Sequence, residues 1–477
     1  MTGWEEAIEA ATAEFIEQLE QRGFHADGRH LSGAMPGDPS PVTVQIEIPE
    51  SFPFLPPVVS PPENLPRSWH RELEGAMCLY AADGRENLPW LDIDDFLQIV
   101  ARWLKESSTG WAEDSPDLDL DRYFTPVDEP LVVYGDLDAL TSPFVQLRRQ
   151  GLVTRVSGTG SIPKKTKGLK KNRAFGYIAS IGRPETPPAS WPDLRALLPD
   201  EGASRIERAV REHRLGYLIV RYERGGVTAA LVLRAWPAKS GGIELASVSS
   251  ASEATETLVL RAGFAAGQLL SAKVAVIGAG AIGSFLCDLL ARAGVGHITI
   301  YDPEIVRPGN LVRHLADAGT VGLPKPEAVK RAIEGRPFSV TQISAFPKRA
   351  PASHEVMGLF TEFDLVIDAT ATGGVTDMLA LAAGAGGHRL ISVCIQEEGR
   401  VVRVDVIPPL EGAALPPTDL SARPSGDELR YEAGCGDPVS QTPPFAVLEA
   451  ASLGARHAVG MLTGAPISAT GIVRDYR

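Results

Sequence analysis

The sequence predicts an α/β chain: a C-terminal half on a mostly parallel sheet, preceded by two smaller α+β regions. Three observations predict it. Val274–Ile277 is an apolar run that enters Gly278-Ala-Gly280-Ala-Ile-Gly283, followed by an amphipathic pattern at Ile282, Phe285, Leu286, Leu289 and Leu290. A strand, a Gly-rich turn and a helix in that order form the opening of a parallel βαβ unit. Near the other end, Val42–Ile48 alternates with period two, the mark of a half-buried strand. The 477 residues suffice for about three domains, which divide as 1–125, 126–250 and 251–477.

Taken in order, the first element is a helix with Trp4, Ile8, Ala11, Phe15 and Leu19 on one face and Gly23 as its stop. After the alternating strand, Pro49, Pro53, Pro56 and Pro57 force an extended, rigid passage. Gly75-Ala-Met-Cys78-Leu79 follows, and then a second helix marked by Phe96, Leu97, Val100, Trp103 and Leu104. The middle region holds strand-like runs at Leu131–Tyr134 and Phe175–Ile181. A hairpin there joins Tyr217–Tyr222 to Val227–Trp236 through Arg224-Gly225-Gly226. It carries no catalytic constellation and reads as a linker domain. Its basic run, Pro163–Arg173, reads as a mobile loop, with contact to an acidic partner protein as the alternative.

The Gly278–Gly283 turn offers backbone N–H groups and a helix N-terminus to a phosphate. Asp302 ends the next strand, 19 residues after Gly283, where a carboxylate can meet a ribose hydroxyl. To this point a dinucleotide-dependent dehydrogenase fits equally well. Asn310-Leu-Val-Arg313 and then Lys325 tip the balance, because Arg and Lys at these positions suit phosphate oxygens and Asn can orient a polar oxygen. The series resembles the adenylation domain of ubiquitin-activating enzymes and of the adenylyltransferases of thiamin and molybdopterin biosynthesis, over about residues 258–465. The resemblance implies a Rossmann-like fold, a homodimer through this domain, and MgATP beside the C-terminal carboxylate of a small protein. Gly278, Gly280, Gly283, Asp302, Asn310, Arg313 and Lys325 would surround them. Two departures stand out. His314 occupies the place of the family's Gln, and Ala371 falls where a second, magnesium-holding Asp is usual in Asp364-Leu-Val-Ile-Asp368-Ala-Thr-Ala371. Asp368 is then the candidate for the metal, and Arg261 for the Arg near the start of the domain.

Two of the four cysteines are candidates for acyl transfer. Cys435 lies in a loop between Gly434 and Gly436, ahead of a helical stretch at Phe445–Leu462; glycine allows close approach and a helix N-terminus lowers a thiol pKa. The resemblance gives it the thioester-forming role, a merely structural loop cysteine being the alternative. The strand, the Pro-x-x-Pro-Pro passage, the Gly-x-x-Cys-Leu turn and the flanking helices resemble a ubiquitin-conjugating enzyme over about residues 1–125, which makes Cys78 the second acceptor. That family usually has His-Pro-Asn before the cysteine. Here Ser68-Trp-His70-Arg-Glu72 puts His70 about where the oxyanion-stabilising Asn would lie, as a donor, a base or a bystander. Cys287 and Cys394 read as small buried hydrophobes.

The spacing of the cysteines indicates neither zinc nor disulfides. The net charge of −14 argues against binding nucleic acid or an anionic membrane. No basic, apolar leader and no run of ~20 apolar residues is present, so a cytoplasmic enzyme is expected. In its whole arrangement the chain looks like the fused proteins of bacterial ubiquitin-like and anti-phage signalling operons. This implies ATP-dependent adenylation of a tag protein's C-terminus, a thioester on Cys435, exchange to Cys78 and conjugation to a target protein. The rivals are a sulfur-transfer or peptide-modifying adenylyltransferase with an N-terminal docking module, and a non-catalytic nucleotide-binding scaffold.

Overall fold

A computed structural model describes residues 3–36, 42–72, 75–80, 87–111, 120–162, 173–239, 241–336, 340–349, 354–420, 431 and 439–477. Cys435 with its flanking glycines, and all of the basic run except Arg173, lie outside these residues. The chain forms two compact units, Met1–Ser252 and Glu253–Arg477.

The first unit opens with the helix Gly3–Gln21, which buries Phe15 and Leu19. Trp4 is not part of that buried face; it is 63% exposed and stacks on Phe54 at 5.4 Å. Four antiparallel strands follow in sequential order, His25–Asp27, His30–Ala34, Thr43–Glu47 and Val58–Ser60. Val44 and Ile46 point inward from the third, as their period-two spacing requires. Asp92 caps the helix Ile93–Thr109 by accepting the N–H groups of Asp94 and Asp95. That helix closes the core with Phe96, Leu97, Val100 and Trp103.

The middle region is an eight-stranded mixed sheet, with helices Trp191–Leu197 and Asp200–Arg211 packed into its core. The expected hairpin is formed by Tyr217–Arg224 and Val227–Pro237. Gly225 and Gly226 both adopt positive φ at its turn, as a tight two-residue connection demands. This sheet shares a core with the preceding module. Trp69, 2% exposed, packs with Leu120, Phe124, Ile181, Trp191 and Tyr222. The Arg224 guanidinium lies 3.9 Å over its ring, and its Nε1–H donates to the Glu185 carbonyl at 3.0 Å.

The second unit is a Rossmann-like α/β domain. Five parallel strands, Lys273–Ile277, His297–Tyr301, Gln342–Phe346, Leu365–Asp368 and Leu390–Gln396, lie in the spatial order third, second, first, fourth, fifth. Val401–Ile407 and Gly471–Asp475 extend the sheet antiparallel. Helices Ala281–Arg292, Lys325–Glu334 and Pro444–Leu462 cover one face, Val356–Glu362 and Gly373–Gly386 the other. Such double cover explains why these strands are continuously apolar rather than alternating. Among the described residues no helix is long and apolar enough to cross a membrane.

Candidate active site

The order of the parallel strands reverses between the first and the fourth, and a crevice opens beyond their C-terminal ends at such a point. A cavity of about 410 Å³ occupies it, lined by Gly278, Gly280, Asp302, Glu304, Arg349 and Thr370 among others. The Gly-rich turn is fixed by contact. Gly278 has φ 97°, and a Cβ there would lie 2.8 Å from the Ala369 carbonyl. A Cβ on Gly283 would lie 1.9 Å from the Gly278 oxygen, whereas one on Gly280 meets nothing within 4 Å. The outer glycines therefore serve the fold, and the middle one leaves space open.

Asp302 tightens the same turn. Its carboxylate accepts the Ala279 N–H at 2.7 Å and the Glu304 N–H at 2.8 Å, and each oxygen retains a lone pair for a hydroxyl. His314 braces the turn from behind. Its Nε2 donates to the Ala279 carbonyl at 2.7 Å while Nδ1 accepts the Ala316 N–H at 2.9 Å. A Gln amide has the same donor and acceptor, which accounts for His in that place. Burial, with Lys325 adding to it, holds the imidazole below its ordinary pKa.

The remaining sequence-predicted residues stand off the cavity. Asn310 caps its own turn by accepting the Arg307 N–H at 2.9 Å. Arg313 donates to Ser440 and to the Thr442 carbonyl. Lys325 is buried and ion-paired with Glu304, whose residue lines the cavity. Arg261 ends the helix Thr255–Arg261 and is exposed. Arg349 was missed by the sequence reading. Its signal was position alone, just past the third parallel strand, where such sheets build their sites.

Asp368 ends the fourth parallel strand. It is 1% exposed, and its carboxylate accepts from the Thr370 N–H, the Thr370 and Thr376 hydroxyls and the Ser392 hydroxyl. Those bonds hold the loop after the fourth strand, so the metal-binding expectation for Asp368 does not fit its surroundings. Among the described residues no group of three or more His, Cys, Asp or Glu is placed to hold a metal ion.

Beyond Thr370 a second cavity, of about 610 Å³, is lined by Ala371, Thr376, Ser392, Cys394, Gln396 and Arg403 among others. Ala371 itself adopts a positive φ of 52°. Cys394 is half-buried and faces this cavity, not the core as its strand suggested; burial first, then Asp405, pushes its thiol up to about 11. Cys287 is fully buried on its helix, as expected.

In the other unit, Cys78 is half-buried at the end of a tight hairpin, and its N–H donates to the His70 carbonyl at 2.9 Å. The His70 ring lies against Trp111, with centroids 4.2 Å apart. After burial, the charge of Glu72 raises the pKa of the thiol further and that of Arg122 opposes the rise, neither of them singled out from the sequence.

The ThiF family model matches residues 259–416. That match lies within the C-terminal unit and covers about a third of the chain. Similar curated proteins include the uncharacterized protein y4qC of Sinorhizobium fredii, 37% identical over 131 residues, covering 25% of this chain and 22% of that protein. The ATP-dependent ubiquitin transferase-like protein Cap2 of Vibrio cholerae is 31% identical over 121 residues, covering 24% of this chain and 20% of its own. The molybdopterin-synthase adenylyltransferase of Escherichia coli is 32% identical over 137 residues, covering 28% of this chain and 53% of its own. The chain thus spans about a fifth of the length of the first two and about half of the third.

Proposed function

We propose that the chain adenylates the C-terminal carboxylate of a ubiquitin-like or other tag protein with ATP. It then takes the acyl group as a thioester on Cys435, passes it to Cys78 and conjugates it to a target. The observation that carries the adenylation step is the pair of cavities on either side of Thr370-Ala371. One is bounded by the Gly-rich turn and the Asp302 carboxylate, which suit a nucleotide. The other, beside it, is open to an extended chain end. Attack of that carboxylate on the α-phosphate would take place where the two adjoin, releasing pyrophosphate.

Gly280 leaves room for phosphate oxygens to approach backbone N–H groups, and Asp302 is placed for ribose hydroxyls. Lys325 and Arg313 supply the positive charge. Arg313 would exchange its bonds to Ser440 and Thr442 for phosphate oxygens, and Lys325 would share itself between Glu304 and the nucleotide. The Cap2 and molybdopterin-synthase relatives support activation by adenylation, and the conjugating step rests on the Cys78 hairpin.

The test is ATP–pyrophosphate exchange with a candidate tag protein. Arg313→Ala and Lys325→Ala should each slow exchange roughly 10²-fold or more, the usual effect of losing a charged contact in the transition state. Cys435→Ala should leave it intact, because adenylation precedes the thiol step. Near-normal exchange in both cationic variants would sink the proposal.

A further inference from the structure

The residues around Cys78 compose more than a lone thiol. Arg71 and Met77 pair as an antiparallel bridge, the Glu72 N–H donates to the Ala76 carbonyl at 2.8 Å, and the Cys78 N–H donates to the His70 carbonyl at 2.9 Å. Side chains alternate between faces along such a hairpin, so Glu72 and Cys78 are diagonal neighbours on one face. Gly75, with φ 86°, makes the turn between them.

Arg122 reaches the same point from the short turn Leu120–Tyr123. It donates to the Glu72 carboxylate at 3.3 Å and the Arg71 carbonyl at 3.4 Å. That turn is anchored by Leu120, fully buried in the core shared with the middle sheet. Glu72 lines two cavities at once. One, of about 410 Å³, is walled by Pro56, Pro57, Met77 and Tyr80; the other, of about 300 Å³, by Arg67, Arg71 and Arg122.

We propose that Glu72 is the catalytic proton acceptor for the groups that react at Cys78, and that Arg122 holds this carboxylate and donates to the oxyanion of an acyl group carried there. The inference rests on the reading of Cys78 as an acyl acceptor. As Cys78 Sγ bonds the carbonyl carbon of an incoming thioester, its proton passes to Glu72. The donor thiolate leaves and takes that proton. In the second transfer an acceptor amine bonds the same carbon and gives its proton to Glu72, the carbon–Sγ bond breaks, and the Cys78 thiolate recovers the proton. Burial raises the thiol pKa, and the Glu72 charge raises it further. The resting group is therefore a thiol and needs a base to react.

Two measurements on the full chain test this. The first is alkylation of Cys78 by iodoacetamide as a function of pH, read at that residue by peptide mass spectrometry. The second is aminolysis by free lysine after Cys78 is charged from a short synthetic glycyl thioester. Iodoacetamide reads only the thiolate present at equilibrium and draws on no protein base, so Glu72→Gln, which removes the neighbouring negative charge, should quicken alkylation at neutral pH by about threefold or more. Aminolysis should fall roughly 10²-fold for want of the base. Glu72→Asp should recover part of the aminolysis. Arg122→Met should slow both reactions, and Arg122→Lys should partly restore them. Glu72→Gln rates that both match the wild type, or that both fall together, overturn the proposal. The thioester is supplied ready-made, so a chain that catalyses no ATP–pyrophosphate exchange refutes the adenylation reading and leaves both Cys78 measurements intact.

Discussion

His314 is the clearest case of a side chain whose protonation state the fold selects. Its Nδ1 accepts the Ala316 N–H, which only the neutral ring can do, and burial lowers its pKa. A depressed folded-state pKa means that the unfolded chain binds the proton more readily. The stability it contributes is therefore fully present above the unfolded value of ~6.5 and is lost as pH falls through the folded one. His314→Gln keeps a donor and an acceptor without titrating. Thermal unfolding of the two chains against pH should diverge below about pH 6.5, with the wild type falling faster. Parallel curves would show that the imidazole is not held neutral.

The strand–turn–helix element at 273–292 separates structural glycines from a permissive one. A Cβ on Gly283 would overlap the Gly278 carbonyl oxygen at 1.9 Å. Gly283→Ala must push the helix away from the turn, and a loss of about 1–3 kcal/mol is expected, as for other overpacked sites. Gly280 has φ −72° and open space around it, so Gly280→Ala should change stability by no more than about 0.5 kcal/mol while weakening ATP binding. Calorimetric unfolding and ATP titration read the two effects separately. A Gly280→Ala chain that binds ATP as well as the wild type would remove the nucleotide from this turn.

Across the whole molecule, the two units carry different parts of the proposed relay, and order follows from chemistry. Cys78→Ala should leave a thiol-cleavable acyl adduct on Cys435, and Cys435→Ala should leave none, since Cys78 would then have no thioester donor. Mass spectrometry of the chain after incubation with ATP and a tag protein distinguishes these outcomes. A Cys435→Ala chain that still charged Cys78 would transfer the first role elsewhere, and Cys394, which faces the larger cavity, is the next candidate. Undiminished product formation in Cys78→Ala would favour an adenylyltransferase whose N-terminal module only docks, the kind of activity named in the molybdopterin-synthase relative.

What the sequence determined by itself was whatever is written in local periodicity and in glycine. The apolar strand of Val274–Ile277, the Gly278–Gly283 turn, the alternating strand around Val44 and Ile46, and the hairpin at Gly225-Gly226 each declare themselves within a dozen residues. Backbone geometry and burial act over that range. The tertiary structure decided what depends on partners distant in the chain. The bonds that Asp368 accepts from Thr376 and Ser392 close only when the helix after the fourth strand and the fifth strand lie beside it, so no local pattern showed them. Arg349 gained its place from the order of the parallel strands. Glu72 and Arg122 stand 50 residues apart and meet because the Leu120–Tyr123 turn is pinned in a core that the middle sheet completes. Trp69 lies in that same core, which makes the module around Cys78 and the sheet after it one packed body, joined through apolar contacts that no spacing in the sequence could announce.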